Sequence, residues 1–209
     1  MTRSKGMKRR LLYLTDEWFW RNVLAERVLL FSGNGAMCSN AKHLSLLDGS
    51  AQSRLFDHVD YVGSPWRSFW GAGGDGSLSY RNRTAMLDAI RHHPNDKLET
   101  DGSYFIKTLR DLNQKLGRDV YRIATKEQTQ MFAGLDNFDE ESGPPMVISG
   151  TAPNLGHESR ELLLAMCPEI KVIFPALHNP SCFGAKPDGE KCAATICALK
   201  DKKDRPSGC

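Results

Sequence analysis

Short apolar runs alternate along the chain with stretches of helical pattern, and this alternation constrains the fold more than any other feature. A short apolar run between turn signals is typical of a strand, whereas apolar residues three or four apart are typical of a helix. The pattern predicts strands at residues 28–31, 59–62, 78–80, 120–124, 146–149 and 172–174, and helices at 15–26, 51–58, 82–92, 101–116, 125–132 and 158–166. Strands that alternate with helices indicate a mixed α/β sheet domain.

The strongest single helix signal lies at residues 101–116. Phe105, Leu109, Leu112 and Leu116 recur at the spacing of one helix face, and Gly117 follows as a natural C-cap. Two further helix starts are predicted from capping side chains, at residues 15 and 82.

Composition excludes several classes of protein. The chain has 209 residues, of which 40% are hydrophobic and 25% charged, and this ordinary usage excludes a disordered or low-complexity chain. Crossing a bilayer takes roughly 20 consecutive apolar residues, and the longest apolar runs here have four or five, so no transmembrane segment is predicted. The run at residues 11–14 is too short for a signal-peptide core, so no export signal is predicted.

The net charge of +3 comes from the first ten residues, which carry five Lys and Arg and no acidic residue. We therefore expect a basic arm at residues 1–14 on a near-neutral body. Because no basic stripe with interleaved aromatic residues continues beyond the arm, no nucleic-acid partner is predicted.

The six cysteines are unevenly placed, with Cys38 alone and the rest crowded into a C-terminal segment, residues 167–209. No pair has the C-x-x-C spacing of a zinc site. Disulfides formed in an oxidising compartment would staple this segment, which has little core of its own. Their connectivity stays open, and a set of reduced cytosolic thiols is the alternative. The late cysteines in question are Cys167, Cys182, Cys192, Cys197 and Cys209.

Three places carry candidate binding or catalytic residues. The strand at 28–31 runs into a turn with Asn34 and Gly35, where backbone amides can approach a phosphate or a sugar closely. A tight turn without function is the alternative there.

The second place is the glycine-rich block, residues 73–83, which follows the tryptophan at residue 66. Aromatic faces stack on sugars, and the planar donors of an arginine complement a diphosphate. The alternative is that the tryptophan is core and the arginine solvated. The residues singled out here are Trp66, Gly73, Gly74, Asp75 and Arg81.

The third place is the start of the helix at 101–116, where Glu99 and Asp101 flank Thr100. Acidic residues at a helix N-terminus commonly do no more than complement its dipole. One of them could instead act as a general base that deprotonates an acceptor hydroxyl.

Four blocks in order resemble an uncharacterised family of bacteria and fungi, classed as a domain of unknown function related to GT-A glycosyltransferases. Its members carry a strand ending in a Gln-Thr-Asp-like turn with a cysteine, then DYIGAPW, then GNGGFSLR, then a Glu-Asp pair. The resemblance covers residues 18–105 well and continues more loosely to the C-terminus. The matching blocks are FW at 19–20, VLLF at 28–31 with CSN at 38–40, DYVGSPW at 60–66 and GGDGSLSYRNR at 73–83.

The resemblance implies a GT-A-like, Rossmann-like mixed sheet flanked by helices at residues 15–166, with the Cys-rich extension at 167–209 packed on the same domain. Because 27 residues precede Val28, we expect the first strands of such a fold to be missing. It implies an enzyme that moves a sugar from a nucleotide-sugar donor to a hydroxyl of a glycan or other acceptor. A catalytically inactive carbohydrate-binding or structural remnant is the alternative. The location implied is the Golgi or secretory lumen if the late cysteines are paired, and the cytoplasm otherwise.

Roles follow residue by residue from the resemblance. Asn34 stands where GT-A enzymes place a metal-binding aspartate, and a neutral amide is a poorer ligand for Mn²⁺ or Mg²⁺ than a carboxylate. His157 is a candidate for the late histidine ligand of such enzymes. Thr100 splits the Glu-Asp pair of the family, so both Asp101 and Glu99 are candidates for the catalytic base. Asn34, Gly35, Trp66, Gly73, Gly74, Asp75 and Arg81 are the implied donor and acceptor contacts.

Overall fold

The chain folds into both helices and strands, but these do not alternate as the sequence pattern predicts: strands follow strands, and three helices come in succession between residues 83 and 132. The computed structural model describes residues 13–31, 35–44, 53–65, 73–95, 99–134, 143–149 and 157–173. Within them the strands are β1 (Arg27–Leu30), β2 (Gly35–Met37), β3 (Tyr61–Ser64), β4 (Asp75–Asn82), β5 (Ala133–Gly134) and β6 (Val147–Ser149). The helices are α1 (Glu17–Asn22), α2 (Arg83–His92), α3 (Asp101–Leu116), α4 (Lys126–Phe132), α5 (His157–Met166) and α6 (Ile170–Ile173), with 3-10 turns at Ser39–Leu44 and Ser53–Phe56. A mixed α/β architecture is therefore confirmed.

The strands form two three-stranded sheets. The first has the order β1-β4-β3 and is antiparallel throughout, with a register shift where Ser64 meets Asp75. The second has the order β2-β6-β5, in which β2 runs antiparallel to β6 and β5 runs parallel to it. The central strand β4 has eight residues and is the longest described strand. It also supports the candidate site.

The two faces of β3 belong to different cores because side chains alternate along a strand. Tyr61 packs with α1, α2 and α3 in a cluster that includes Trp20, Met86 and Phe105. Val62 packs on the other side with Phe56, Phe132, Ile148 and Leu163. The first of these clusters surrounds the candidate site.

Capping side chains fix the helices where the sequence predicts them. Asn82 caps α2 by accepting a hydrogen bond from the Ala85 amide at 2.9 Å. Helix α3 begins after its N-cap Thr100 and ends at Gly117, whose φ of 63° is the left-handed conformation that favours glycine. The predicted helix at 101–116 is thus confirmed at both ends.

Three predicted elements need correction. The first helix is capped by Asp16 rather than Thr15 and ends at Asn22 rather than at residue 26. Residues 120–124 do not form a strand, since only Ile123 makes a bridge, parallel to Tyr61. The strand predicted at 172–174 is wrong for its described part, which lies in α6: the Val172 amide donates to the Glu169 carbonyl at 3.0 Å, and Ile170 is buried whereas Val172 is exposed.

A disulfide links Cys38, just after β2, to Cys167, just after α5, across 129 residues of sequence. Both cysteines lie in the core cluster of Leu163 and Ile170. Cys38, which stands alone in the sequence, is thus the partner of the first late cysteine. The other four cysteines lie outside the described residues.

Among the helices that the structure describes, none has both the length and the apolarity that crossing a bilayer requires.

Candidate functional site

The first turn of α3 lies directly on the backbone of the glycine-rich block. A Cβ atom at Gly102 would lie 2.7 Å from the Gly76 nitrogen, 2.9 Å from Tyr61 Oη and 3.1 Å from the Gly74 carbonyl oxygen. These distances are shorter than van der Waals contact, so only a glycine at residue 102 allows the helix to come this close.

The glycine-rich block is itself folded back on β3. Gly73 and Gly74 have φ values of 102° and 81°, which side-chain-bearing residues rarely adopt. The Gly63 amide donates to the Gly73 carbonyl at 2.6 Å, and the Tyr61 hydroxyl donates to the Gly74 carbonyl at 3.3 Å. Two strand positions therefore hold the block in one conformation beside the helix start.

An ion pair joins the block to the helix. The Arg81 side chain has no exposed surface, and its Nη2 donates to Asp101 Oδ2 and to the Gly76 carbonyl at 3.2 Å. Arg81 Nε donates to Ser79 Oγ at 2.8 Å. Asp101 keeps 12% of its side chain exposed. The pair thus has a fully buried cation and a largely buried aspartate.

Three aromatic rings enclose the Arg81 guanidinium. Its central carbon lies 5.1 Å from the ring centre of Tyr61, 5.2 Å from that of Phe105 and 6.0 Å from that of Trp20. Arg81 Nη1 is buried and has no hydrogen-bond partner among the described residues. The electron-rich ring faces attract the cation, which partly offsets this missing hydrogen bond.

Glu99 and Asp101 point to different surroundings although they are two residues apart. The Glu99 carboxylate pairs with Lys107 Nζ at 3.3 Å and remains about one-third exposed. Between them Thr100 caps α3 by accepting a hydrogen bond from the Ser103 amide at 3.3 Å. Of these two acidic residues, Asp101 is the one whose carboxylate meets the glycine-rich block, at Gly76.

The other predicted residues are spread more widely. Asp75 is half-buried and pairs with Ser64 where β3 and β4 shift register, next to the glycines. Gly35 lies in the other sheet, opposite Ser149. Asn34 and Trp66 lie outside the described residues, as does the side chain of His157, whose backbone begins α5. The structure therefore gathers Gly73, Gly74, Asp75, Arg81 and Asp101, and it does not bring Gly35 to them.

The metal site implied by the resemblance gains no support from the donors in view. In the described ranges, no three His, Cys, Asp or Glu side chains form a group that could hold a metal ion. An amide at Asn34 and an imidazole at His157 would offer one oxygen and one nitrogen, whereas Mg²⁺ and Mn²⁺ prefer carboxylate, carbonyl and water oxygens. This donor set does not fit a tightly held divalent cation.

Sequence reasoning missed Ser79, Tyr61 and Gly102 as parts of the site. Ser79 and Arg81 are two residues apart in β4 and therefore share one face of the strand. The pattern SLSYR contains this spacing, but the shared face follows only once the segment is known to be a strand. Tyr61 lies in the matching block at 60–66, but its part in the site, like that of Gly102, depends on tertiary contacts that no local signal marks.

Two titratable groups with shifted pKa values lie away from the glycine-rich block. Burial raises the pKa of Tyr121 to about 12, and a hydrogen bond to Asp88 Oδ2 at 3.0 Å is the second cause of the shift. Burial also raises the pKa of Asp60, against the opposing effects of the Arg122 amide and of Arg27. Both groups stabilise connections between elements and do not face Asp101.

A polar groove of about 660 Å³ lies near the C-terminal ends of α2 and α3. It is lined by His92, His93, Asp111, Gln114 and Lys115. None of the predicted site residues lines it, so it does not belong to the Arg81–Asp101 site.

Fold and site together define a mixed α/β protein in which a buried arginine holds a largely buried aspartate at the junction of a glycine-rich block and a helix N-terminus. The chain belongs to the family described as "Protein of unknown function (DUF5672)", which matches residues 4–141. This match confirms the expected membership in a family of unknown function and includes Gly73, Arg81 and Asp101. No curated protein and no solved structure matched the chain.

Proposed function

We propose that this protein transfers a sugar from a nucleotide-sugar donor to a hydroxyl of a glycan or other acceptor, with Asp101 as the general base. The observation that carries the proposal is the position of the Asp101 carboxylate. It stands at the start of α3 against the glycine-rich block, with Oδ2 held by Arg81 and 12% of the side chain exposed. The proposed fold behind this activity is GT-A-like.

The chemistry asked of Asp101 is proton transfer. As the acceptor hydroxyl attacks the anomeric carbon, its O–H bond breaks and the proton passes to the carboxylate, while the bond to the nucleoside diphosphate breaks and that group leaves. A positioned general base contributes about 10²–10⁴-fold to such a step. Glu99 is the weaker candidate, because Asp101 and not Glu99 is the carboxylate that meets the glycine-rich block, at Gly76.

Glycines suit the role proposed for the block because they let it pack closely around the carboxylate. Gly73 and Gly74 are buried against Ile106 and the backbone of β3, and Gly76 leaves the space that Asp101 occupies. Asp75 would complete this side of the sugar site, whereas Trp66, Asn34 and Gly35 remain the donor and acceptor contacts implied by the family resemblance. No step of the proposed reaction passes through a metal ion, because the donor set does not fit one.

Calorimetric titration with UDP-sugars and GDP-sugars, each with and without Mn²⁺, tests donor binding directly. A transfer assay then compares the wild type with Asp101→Asn, using Glu99→Gln as the matched control. We expect Asp101→Asn to keep donor affinity and to lose transfer by about 100-fold or more, and Glu99→Gln to stay near wild type. If the wild type binds none of these donors, the proposal is refuted.

One observation favours the runner-up, an inactive carbohydrate-binding or structural remnant of the same fold. The positive charge of a fully buried Arg81 already balances the Asp101 carboxylate, which is also what a purely structural ion pair would look like. A protein that binds immobilised glycans but neither binds nor turns over nucleotide sugars would establish this alternative.

A further inference from the structure

We infer that Arg81 is a positioning residue that acts through Asp101 and does not contact the donor, and that Gly76 supplies the gap in which the two side chains meet. The inference rests on the proposed function, since it assigns a part in the transfer reaction to two residues behind the base. It replaces the diphosphate contact expected of Arg81 from the sequence with a different role.

Burial is the first reason. The Arg81 side chain has no exposed surface, and three rings stand within 6.0 Å of its guanidinium carbon. A donor diphosphate could reach this cation only if the rings separated. The Asp101 side chain, by contrast, keeps 12% of its surface exposed, so any effect of Arg81 on a substrate passes through Asp101.

The second reason is a closed ring of hydrogen bonds that fixes the guanidinium plane. Arg81 Nε donates to Ser79 Oγ at 2.8 Å, and Ser79 Oγ donates to the Gly76 carbonyl at 3.1 Å. Arg81 Nη2 donates to the same carbonyl at 3.2 Å and to Asp101 Oδ2. Because these donors have a fixed fork geometry, their partners determine where the carboxylate sits.

The third reason is the space at Gly76. A Cβ atom there would overlap Asp101 Oδ2 and would lie 2.6 Å from Arg81 Nη2. Gly76 is not among the described glycines with positive φ, so an alanine at this position is allowed by the backbone and excluded only by the ion pair. The aromatic rings prevent the guanidinium from moving aside. The carboxylate of Asp101 must therefore move instead.

The test uses Arg81→Lys and Gly76→Ala in the full chain. Arg110→Lys, at an exposed arginine on α3, is the matched control for Arg81→Lys. Gly117→Ala, whose added Cβ meets nothing within 4 Å, is the control for a glycine replacement without overlap. Donor affinity by calorimetry and kcat with KM from the transfer assay are measured on all four. A readout independent of activity is the ¹³C resonance of the Asp101 carboxyl carbon in aspartate-labelled protein.

We expect kcat to fall about 100-fold in Arg81→Lys and Gly76→Ala, as for a misplaced catalytic group, with donor KM and calorimetric affinity unchanged. The Asp101 carboxyl resonance should move in both variants and stay in place in the two controls. A rise in donor KM with kcat retained would overturn the inference in favour of a direct donor contact.

The two proposals fail separately. If the wild type transfers sugar but the Asp101 resonance does not respond to Arg81→Lys or Gly76→Ala, the positioning role is refuted while the function stands. If the wild type neither binds nor transfers any nucleotide sugar, the function is refuted. If the Asp101 resonance then still responds to Arg81→Lys and Gly76→Ala, the ion pair is structural and its positioning role in catalysis is refuted too.

Discussion

Replacing Arg81 by methionine tests whether the ion pair is as buried as the structure shows. Methionine keeps the apolar contacts with the rings of Trp20, Tyr61 and Phe105 but removes the charge and every donor. Asp101 is then left as a carboxylate with 12% of its side chain exposed and no cation beside it. Ser79 Oγ loses its donor, and the Gly76 carbonyl loses one of its two side-chain donors.

Removing one partner of a buried ion pair typically costs about 3–5 kcal/mol, because the remaining charge is desolvated and uncompensated. A domain is stable by about 5–15 kcal/mol in total, so Arg81→Met should remove about a fifth or more of that stability. Replacing both partners has a different outcome, since well-packed apolar residues often substitute for a buried pair without loss. Arg81→Met combined with Asp101→Leu should therefore recover most of the free energy of unfolding.

Urea unfolding at neutral pH under oxidising conditions, followed by tryptophan fluorescence, measures these differences. Arg110→Met is the control, because an exposed arginine on α3 should change the free energy of unfolding by about 0.5 kcal/mol or less. The reasoning is refuted if Arg81→Met lies within about 1 kcal/mol of the wild type, or if the double variant is no more stable than Arg81→Met alone.

Three further predictions concern stability. Replacing Cys38 and Cys167 by alanine should lower the free energy of unfolding by up to about 5 kcal/mol, because the bridge closes a loop across 129 residues; urea unfolding of the wild type with and without reductant checks this, and an unchanged midpoint would contradict it. Gly102→Ala should lower the free energy of unfolding by about 1–3 kcal/mol, because its Cβ would overlap the glycine-rich block. Gly117→Ala should lower it by about 1–2 kcal/mol through its positive φ alone and should leave the Asp101 resonance in place. Equal resonance shifts in both variants would count against the close helix contact. Burial raises the pKa of Tyr121 from its ordinary value near 10 to about 12, and this shift stabilises the folded state fully below pH 10. The contribution should disappear between about pH 10 and 12, as ultraviolet titration of the wild type against Tyr121→Phe would show. Ionisation of that phenol near pH 10 in the folded protein would be inconsistent with this prediction.

Local signals were sufficient where a single element determines its own ends. The apolar face of residues 101–116 and the left-handed position at Gly117 predict α3 correctly, and Asn82 predicts the start of α2. The same reasoning fails at Val172, where a three-residue apolar run has no period to distinguish a strand from a helical turn.

The site was predicted in its parts but not in its arrangement. Sequence proximity groups Glu99 with Asp101, yet the cap at Thr100 begins the helix between them, so one carboxylate lies outside α3 and the other inside it. Burial of Arg81 runs against the usual exposure of charged residues and depends on tertiary partners, namely Asp101 and the aromatic rings. The pairing of Cys38 with Cys167 likewise joins distant segments, and spacing alone does not reveal it.

The central claim is that Asp101, held by Arg81 beside the glycine-rich block, is the base of a sugar-transfer reaction. The most direct measurement is the rate of transfer from a donor that the wild type binds, compared between the wild type, Asp101→Asn and Glu99→Gln at equal folded protein. The account predicts a loss of about 100-fold or more in Asp101→Asn alone, with donor affinity preserved. Transfer by Asp101→Asn at the wild-type rate, or its loss in Glu99→Gln instead, would contradict it.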